Sequence, residues 1–141
     1  MVELTPHGEH SAQYTEHVAH TISEAVRVLN YASGEYAEKG LPYPATIDSV
    51  IGSLRAAAGG MDQLGRQLVD RLTRMRDDGV LAVRGGEHAG DPAAAVQSAN
   101  AALARVALAA IDLEQALADA QSQTGAIGMV FTPDDDEDQD G

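Results

Sequence analysis

The chain has 141 residues, a formal net charge of −13, no cysteine, no Trp and a single Phe. This length indicates one domain, and the missing cysteines exclude disulfides, thiolate metal sites and thiol catalysis. The acidic balance argues against nucleic-acid binding, which needs basic side chains to neutralise phosphate. With no run of about 18 apolar residues and no secretory signal pattern, we expect no membrane partner and a cytoplasmic protein, or one exported without a signal.

The first predicted helix, residues 9–38, follows a short lead at 1–8. Thr5 and the following proline offer a helix start, and Gly34 inside the pattern marks an early end or a frayed turn. The proline-containing connector GLPYP then predicts that the first two helices are antiparallel neighbours. The helical stripe recurs at steps of three and four: Tyr14, Val18, Ile22, Ala25, Leu29, Ala32 and Tyr36.

The second predicted helix, residues 44–78, has a stripe whose steps alternate strictly between four and three. Val50, Ala57 and Leu64 widen it into a face that suits two neighbours. The pair Gly59–Gly60 indicates either a hinge or close packing beneath a crossing helix. The stripe comprises Ile47, Ile51, Leu54, Ala58, Met61, Gly65, Leu68, Leu72 and Met75.

The third predicted helix, residues 92–123, begins at the strongest boundary signal in the chain, Asp91 as N-cap followed by Pro92. Its flanks are unusually apolar, which is typical of a helix that is central in the fold or covered by another chain. Its stripe comprises Val96, Ala99, Leu103, Val106, Ala110, Leu113, Leu117 and Ala120.

Together these patterns predict an all-α fold, an antiparallel up-down-up bundle of three long helices forming one domain over residues 9–131. Two short apolar segments, 80–83 and 127–131, suggest a two-stranded β pairing or a cap on the end of the bundle. Residues 132–141 are rich in acidic side chains and predict a disordered tail.

Three histidines, His10, His17 and His20, lie among glutamates near the start of the first predicted helix. Histidines beside carboxylates are the ligands of zinc-like ions, which makes these three weak candidates for a metal site. Because they fan around one helix without a convergent third or fourth ligand, exposed surface histidines are the simpler interpretation.

Two apolar groups are candidates for partner binding. Tyr31, Tyr36 and Tyr43 cluster around the first connector, where they form an aromatic docking patch or cover the bundle end with their hydroxyls in water. Met129, Val130 and Phe131 precede the acidic tail, and this segment docks on a partner or packs on residues 80–83 of the chain itself.

The small, acidic, Ala-rich helical chain resembles the WXG100 class of secreted helical-hairpin proteins. Tyr31 and Glu35 have a Tyr-x-x-x-acidic spacing similar to that class's export signal, placed here inside the first predicted helix. The chain has GLPYP where that class has its Trp-x-Gly turn, and it adds a third long helix. The resemblance implies a secreted helical-hairpin-like effector or partner protein.

The sequence has no nucleophile motif, phosphate loop or nucleotide fingerprint, and it pairs no titratable groups within the predicted core. We therefore expect a protein that is not an enzyme and uses no cofactor. The favoured function is protein–protein interaction, as a scaffold, adaptor or regulatory subunit of a bacterial assembly, with self-association expected. The alternative is a metal- or small-molecule-binding helical protein that uses His10, His17 and His20.

Overall fold

The computed structural model describes residues 3–130, and this part of the chain folds into helices without any strand. The four helices are α1 (Ala12–Ser33), α2 (Ala37–Gly40), α3 (Pro44–Asp77) and α4 (Pro92–Thr124). Helix makes up 73% of the structure. The predicted all-α class is therefore confirmed, and the bounds of α3 and α4 agree with the sequence patterns to within one residue.

The first helix differs from its prediction at both ends. It begins at Ala12 because the Ser11 hydroxyl accepts a hydrogen bond from the backbone N–H of Tyr14 at 3.0 Å, which satisfies a donor of the first turn. It ends at Ser33, so the early end at Gly34 is confirmed and a continuous helix to residue 38 is wrong. The short α2 folds back so closely that a Cβ on Gly40 would collide with the carbonyl oxygen of Ala32.

The long helices α3 and α4 form an antiparallel hairpin. At one end the Thr124 hydroxyl donates to the Asp48 carboxylate at 2.6 Å. At the other end the Asn100 side-chain amide donates to the Thr73 hydroxyl at 3.0 Å. Since the start of α3 meets the end of α4, the loop between them lies at the end opposite to the C-terminal segment.

Small residues fill the interface between α3 and α4, which we call the hairpin seam. The buried residues of the hairpin are Ala58 and Gly65 on α3 and Val96, Ala107 and Ala110 on α4. A Cβ placed on Gly65 would lie 3.5 Å from the Cβ of Ala107, so the two backbones approach closely there. Much of the predicted stripe of α3 stays outside this seam, and Leu68 for example is 47% exposed.

The first helix lies beside α3 without close backbone packing. Among the described helices, no Cα atom of α1 comes within 8 Å of a Cα atom of α3 or α4, and α1 contains no buried residue. An open groove of 380 Å³ separates the Val18–Ile22 side of α1 from Leu64 of α3. The structure thus contains a two-helix hairpin with α1 alongside it, and the three-helix up-down-up bundle is not confirmed.

The suggested pairing of residues 80–83 with 127–131 is not formed among the described residues. Residues 80–83 have no regular secondary structure and belong to a loop that closes on itself, with the Gly90 N–H donating to the Val83 carbonyl at 2.8 Å. The two segments follow α3 and α4 respectively, so the antiparallel hairpin places them at opposite ends, roughly 45 Å apart by the rise of the helices. Phe131 and the predicted tail at 132–141 lie outside the described residues.

The glycine pair in α3 does not break the helix, and of its two members Gly59 alone faces α4, where a Cβ would lie 3.8 Å from the Cγ of Glu114. The helix continues through Gly59 and Gly60, and a Cβ on Gly60 would meet nothing within 4 Å. A closer approach of the two backbones occurs at Gly65, about one and a half turns later.

Candidate interaction surface

Exposed apolar side chains on all three long helices are the dominant surface feature of the described chain. The buried hydrophobic core is limited to Ala58, Val96, Ala107 and Ala110, whereas large side chains on every long helix are at least a third exposed. They include Ile22, Val26 and Leu29 on α1, Ile47, Leu54, Leu64 and Leu68 on α3, and Val106, Leu108, Ile111 and Leu113 on α4. Exposed apolar surface of this extent is typical of an interaction site.

The most continuous of these surfaces is a second apolar stripe on α4, which we call the outer seam. It recurs at steps of four and three, as a heptad seam does, and it carries no charge. Val106 and Leu113 are its large members, 52% and 49% exposed, and six alanines complete it: Ala95, Ala99, Ala102, Ala109, Ala116 and Ala120.

Three charged residues border the outer seam on the side away from α3. Arg105, Asp112 and Asp119 are exposed and lie seven residues apart, so they form a line parallel to the seam. The remaining charge of α4, Glu114, is turned toward α3, where its carboxylate accepts from the Arg55 Nε at 3.0 Å. This ion pair and the Asn100–Thr73 hydrogen bond fix which side of α4 faces its neighbour.

A second groove, of 510 Å³, runs along the opposite side of the hairpin. Leu108 and Ile111 of α4 and Val69 of α3 contribute its apolar lining, and the ion pair between Arg66 and Asp62, 2.9 Å long, lies at its edge. The sequence analysis noted that the flanks of this helix are unusually apolar, but it did not single out Leu108 or Ile111. The sequence nevertheless contained a signal for this groove, because α4 has few charged residues and more apolar residues than one neighbouring helix can cover.

The N-terminal lead folds back over the groove between α1 and α3. The Tyr14 hydroxyl donates to the Glu3 carbonyl at 2.9 Å and accepts from the Thr5 N–H at 3.1 Å. Hydrogen bonding with the Thr5 side chain and then with its backbone lowers the pKa of Tyr14. Leu4 and Pro6 thereby line one wall of the 380 Å³ groove.

The three connector tyrosines are exposed but spread over different elements. Tyr31 lies in the last turns of α1, Tyr36 is the residue before α2, and Tyr43 is the residue before α3. Each is more than half exposed. The Tyr31–Glu35 spacing spans the end of α1, since Glu35 lies beyond its last residue.

The C-terminal apolar segment is solvent-exposed as far as the structure describes it. Met129 is 67% exposed and Val130 is 91% exposed, and neither contacts residues 80–83 at the far end of the hairpin. Phe131, the third member of this candidate set, lies outside the described residues.

The histidine cluster does not converge. Within residues 3–130, no three His, Asp or Glu side chains are placed to share a metal ion. His10 lies apart from the helix, where its Nε2 is 3.1 Å from the Pro6 carbonyl and its ring packs edge-on against Tyr14. His17 and His20 are exposed side chains of α1.

One described helix, α4, is long and apolar enough by composition to cross a membrane, and 17% of that stretch is buried in the structure. Its polar side chains Asn100 and Glu114 bond to α3, so one side of it is engaged by protein.

Comparison with protein-family models, curated proteins and solved structures finds no match to this chain.

Proposed function

We propose that this chain is a non-enzymatic helical subunit that works through protein–protein contacts, and that its first partner is a second copy of itself. The observation that carries the proposal is an imbalance within residues 3–130: four buried hydrophobic residues form the core, whereas apolar side chains are exposed on all three long helices. Burial of apolar area is the main favourable term in protein association, so these faces favour a protein partner.

The chemistry of the described surface supports a binding role over a catalytic one. No polar or charged residue of the described chain is buried, and catalysis generally relies on titratable groups that a buried site perturbs. The pKa is lowered at Tyr14 and Glu24 and raised at Arg27, none of which is buried, and a local hydrogen bond explains each shift.

The net charge of the chain opposes pairing with a second copy over most of its surface, but the uncharged outer seam of α4 permits it. A net charge of −13 on each chain opposes self-association wherever acidic surfaces meet. The outer seam of α4 is free of charge over about 37 Å, at 1.5 Å per residue, so two copies can meet there without burying a carboxylate.

Sedimentation velocity on the untagged full chain, over a wide range of protein concentration, tests the proposal. We expect a reversible increase from the 14.7 kDa monomer toward twice that mass, together with a melting temperature that rises with concentration. A strict monomer with a concentration-independent melting temperature would refute self-association. Stoichiometric zinc or nickel that is lost from a His17→Ala, His20→Ala variant would favour the metal-binding alternative.

A further inference from the structure

We propose that two copies pair antiparallel through the outer seam of α4, with the dyad between Val106 and Ala109. The inference rests on the proposed function, because it names the face and the register of the self-association proposed above. It follows from the size of the seam, the alternation of large and small side chains along it, and the charges beside it.

The seam is self-complementary in an antiparallel pairing, because its two large side chains hold the same heptad position and alanines hold the position opposite them. When Val106 of one copy lies opposite Ala109 of the other, Leu113 lies opposite Ala102. Each large side chain then meets a small one, the arrangement that fills a helix interface without voids or overlap. A parallel pairing would instead set Val106 against Val106 and Leu113 against Leu113, with alanines facing alanines between them.

The charges beside the seam select this register, because a shift by one heptad in either direction would set Arg105 beside Arg105, or Asp112 beside Asp112, of the other copy. With the dyad near residue 108, Arg105 of each copy lies beside Asp112 of the other, which forms two symmetric ion pairs. Asp119 then lies beside the uncharged Ser98. In a parallel pairing, this edge of the seam would face the opposite, uncharged edge of the other copy, so Arg105, Asp112 and Asp119 would form no ion pair across the interface.

The area agrees with a reversible dimer. A single-helix seam with alanine at six of its eight positions is a small interface, and interfaces below about 1,200 Å² in total are typical of weak, transient complexes. Val106 and Leu113 are half-exposed in the hairpin and Arg105 is exposed, so a second copy reaches the seam without opening the hairpin.

A charge exchange tests the register. Arg105→Asp places two acidic pairs at the dyad, and Asp112→Arg places two basic pairs there, so each variant should raise the dimer dissociation constant about tenfold. The double variant, Arg105→Asp with Asp112→Arg, should restore it. Because the two single variants shift the net charge in opposite directions and the double variant leaves it unchanged, overall charge cannot produce this pattern. Asp119→Arg is the matched control, with little effect expected.

Cysteine cross-linking tests the geometry independently, since the chain has no native cysteine. Under mild oxidation, Ala102→Cys and Leu113→Cys proteins should form a disulfide dimer when mixed, and little when alone. Two copies of residue 102 would be about 16 Å apart along the axis, beyond the roughly 7 Å between Cα atoms that a disulfide tolerates.

The outcomes separate this inference from the proposal on which it rests. Wild-type protein that stays monomeric refutes both. A dimer that ignores the charge exchange and does not cross-link in the mixture refutes the seam while self-association stands. Efficient cross-linking of Ala102→Cys with itself indicates parallel pairing and overturns the register. Restoration by the double variant together with cross-linking only in the mixture supports the inference.

Discussion

The close approach of α3 and α4 at Gly65 can be tested by substitutions that add side-chain atoms between the two backbones. A Cβ on Gly65 would lie 3.5 Å from the Cβ of Ala107, an ordinary van der Waals distance, whereas a Cβ on Gly60 would meet nothing within 4 Å. Both glycines lie inside α3, where alanine is more favourable than glycine by about 0.8–1 kcal/mol. Gly65→Ala and Gly60→Ala should therefore both stabilise the protein, by about 3 °C in melting temperature.

Leucine separates the two positions. At Gly60 the side chain extends into open space, so Gly60→Leu should keep the helix-propensity gain of roughly 0.8 kcal/mol. At Gly65 three further carbons have no room between the backbones, and overpacking of this kind costs about 1–3 kcal/mol. The helices must then move apart, which also exposes Ala58 and Ala110. Because the propensity gain is common to both positions, we expect Gly65→Leu to be less stable than Gly60→Leu by the overpacking cost alone, about 1–3 kcal/mol.

Thermal unfolding followed by circular dichroism at 222 nm measures the difference. All variants should be compared at one protein concentration, because self-association couples the melting temperature to concentration. Equal stabilities for Gly65→Leu and Gly60→Leu would show that the helices do not approach closely at Gly65, and the description of the hairpin seam would then be wrong.

Two further predictions concern the N-terminal half. Tyr14→Phe removes the hydroxyl that bonds to Glu3 and Thr5. Amide hydrogen exchange at residues 4–8 should therefore accelerate, with little change in melting temperature. Unchanged exchange would show that the Tyr14 hydroxyl does not hold the N-terminal lead in place. The side-chain hydrogen bond from Arg27, and then its charge, lower the pKa of Glu24. The Glu24–Arg27 pair therefore supports α1 at neutral pH, and its contribution is lost as the pH falls through the lowered pKa. In an NMR titration of the Glu24 carboxyl, Arg27→Gln should raise its midpoint, and an unmoved midpoint would rule out the pairing in solution.

The sequence by itself determined the helices and most of their ends. Asp91 and Pro92 mark the start of α4 because a side-chain cap and a proline both suit the first turn, and these are local effects. The early end of α1 at Gly34 is also a local effect, because glycine weakens a helix wherever it occurs inside one. Ser11 was missed as a cap because Thr5 and its proline offered an equivalent signal one to two turns earlier. The outer seam was also readable, since its spacing depends only on the residues of one helix.

Only the tertiary structure decided which of the apolar faces are used. A stripe shows that a helix has an apolar side, but it does not identify the neighbour, because burial of apolar area is non-directional. The contact at Gly65, rather than at the more conspicuous Gly59–Gly60 pair, depends on where α4 crosses α3. The pairing of residues 80–83 with 127–131 failed for a related reason: β propensity is local, whereas the antiparallel hairpin sets the two segments at opposite ends. The loose placement of α1 likewise reflects contacts among distant residues, which no local pattern along the chain specifies.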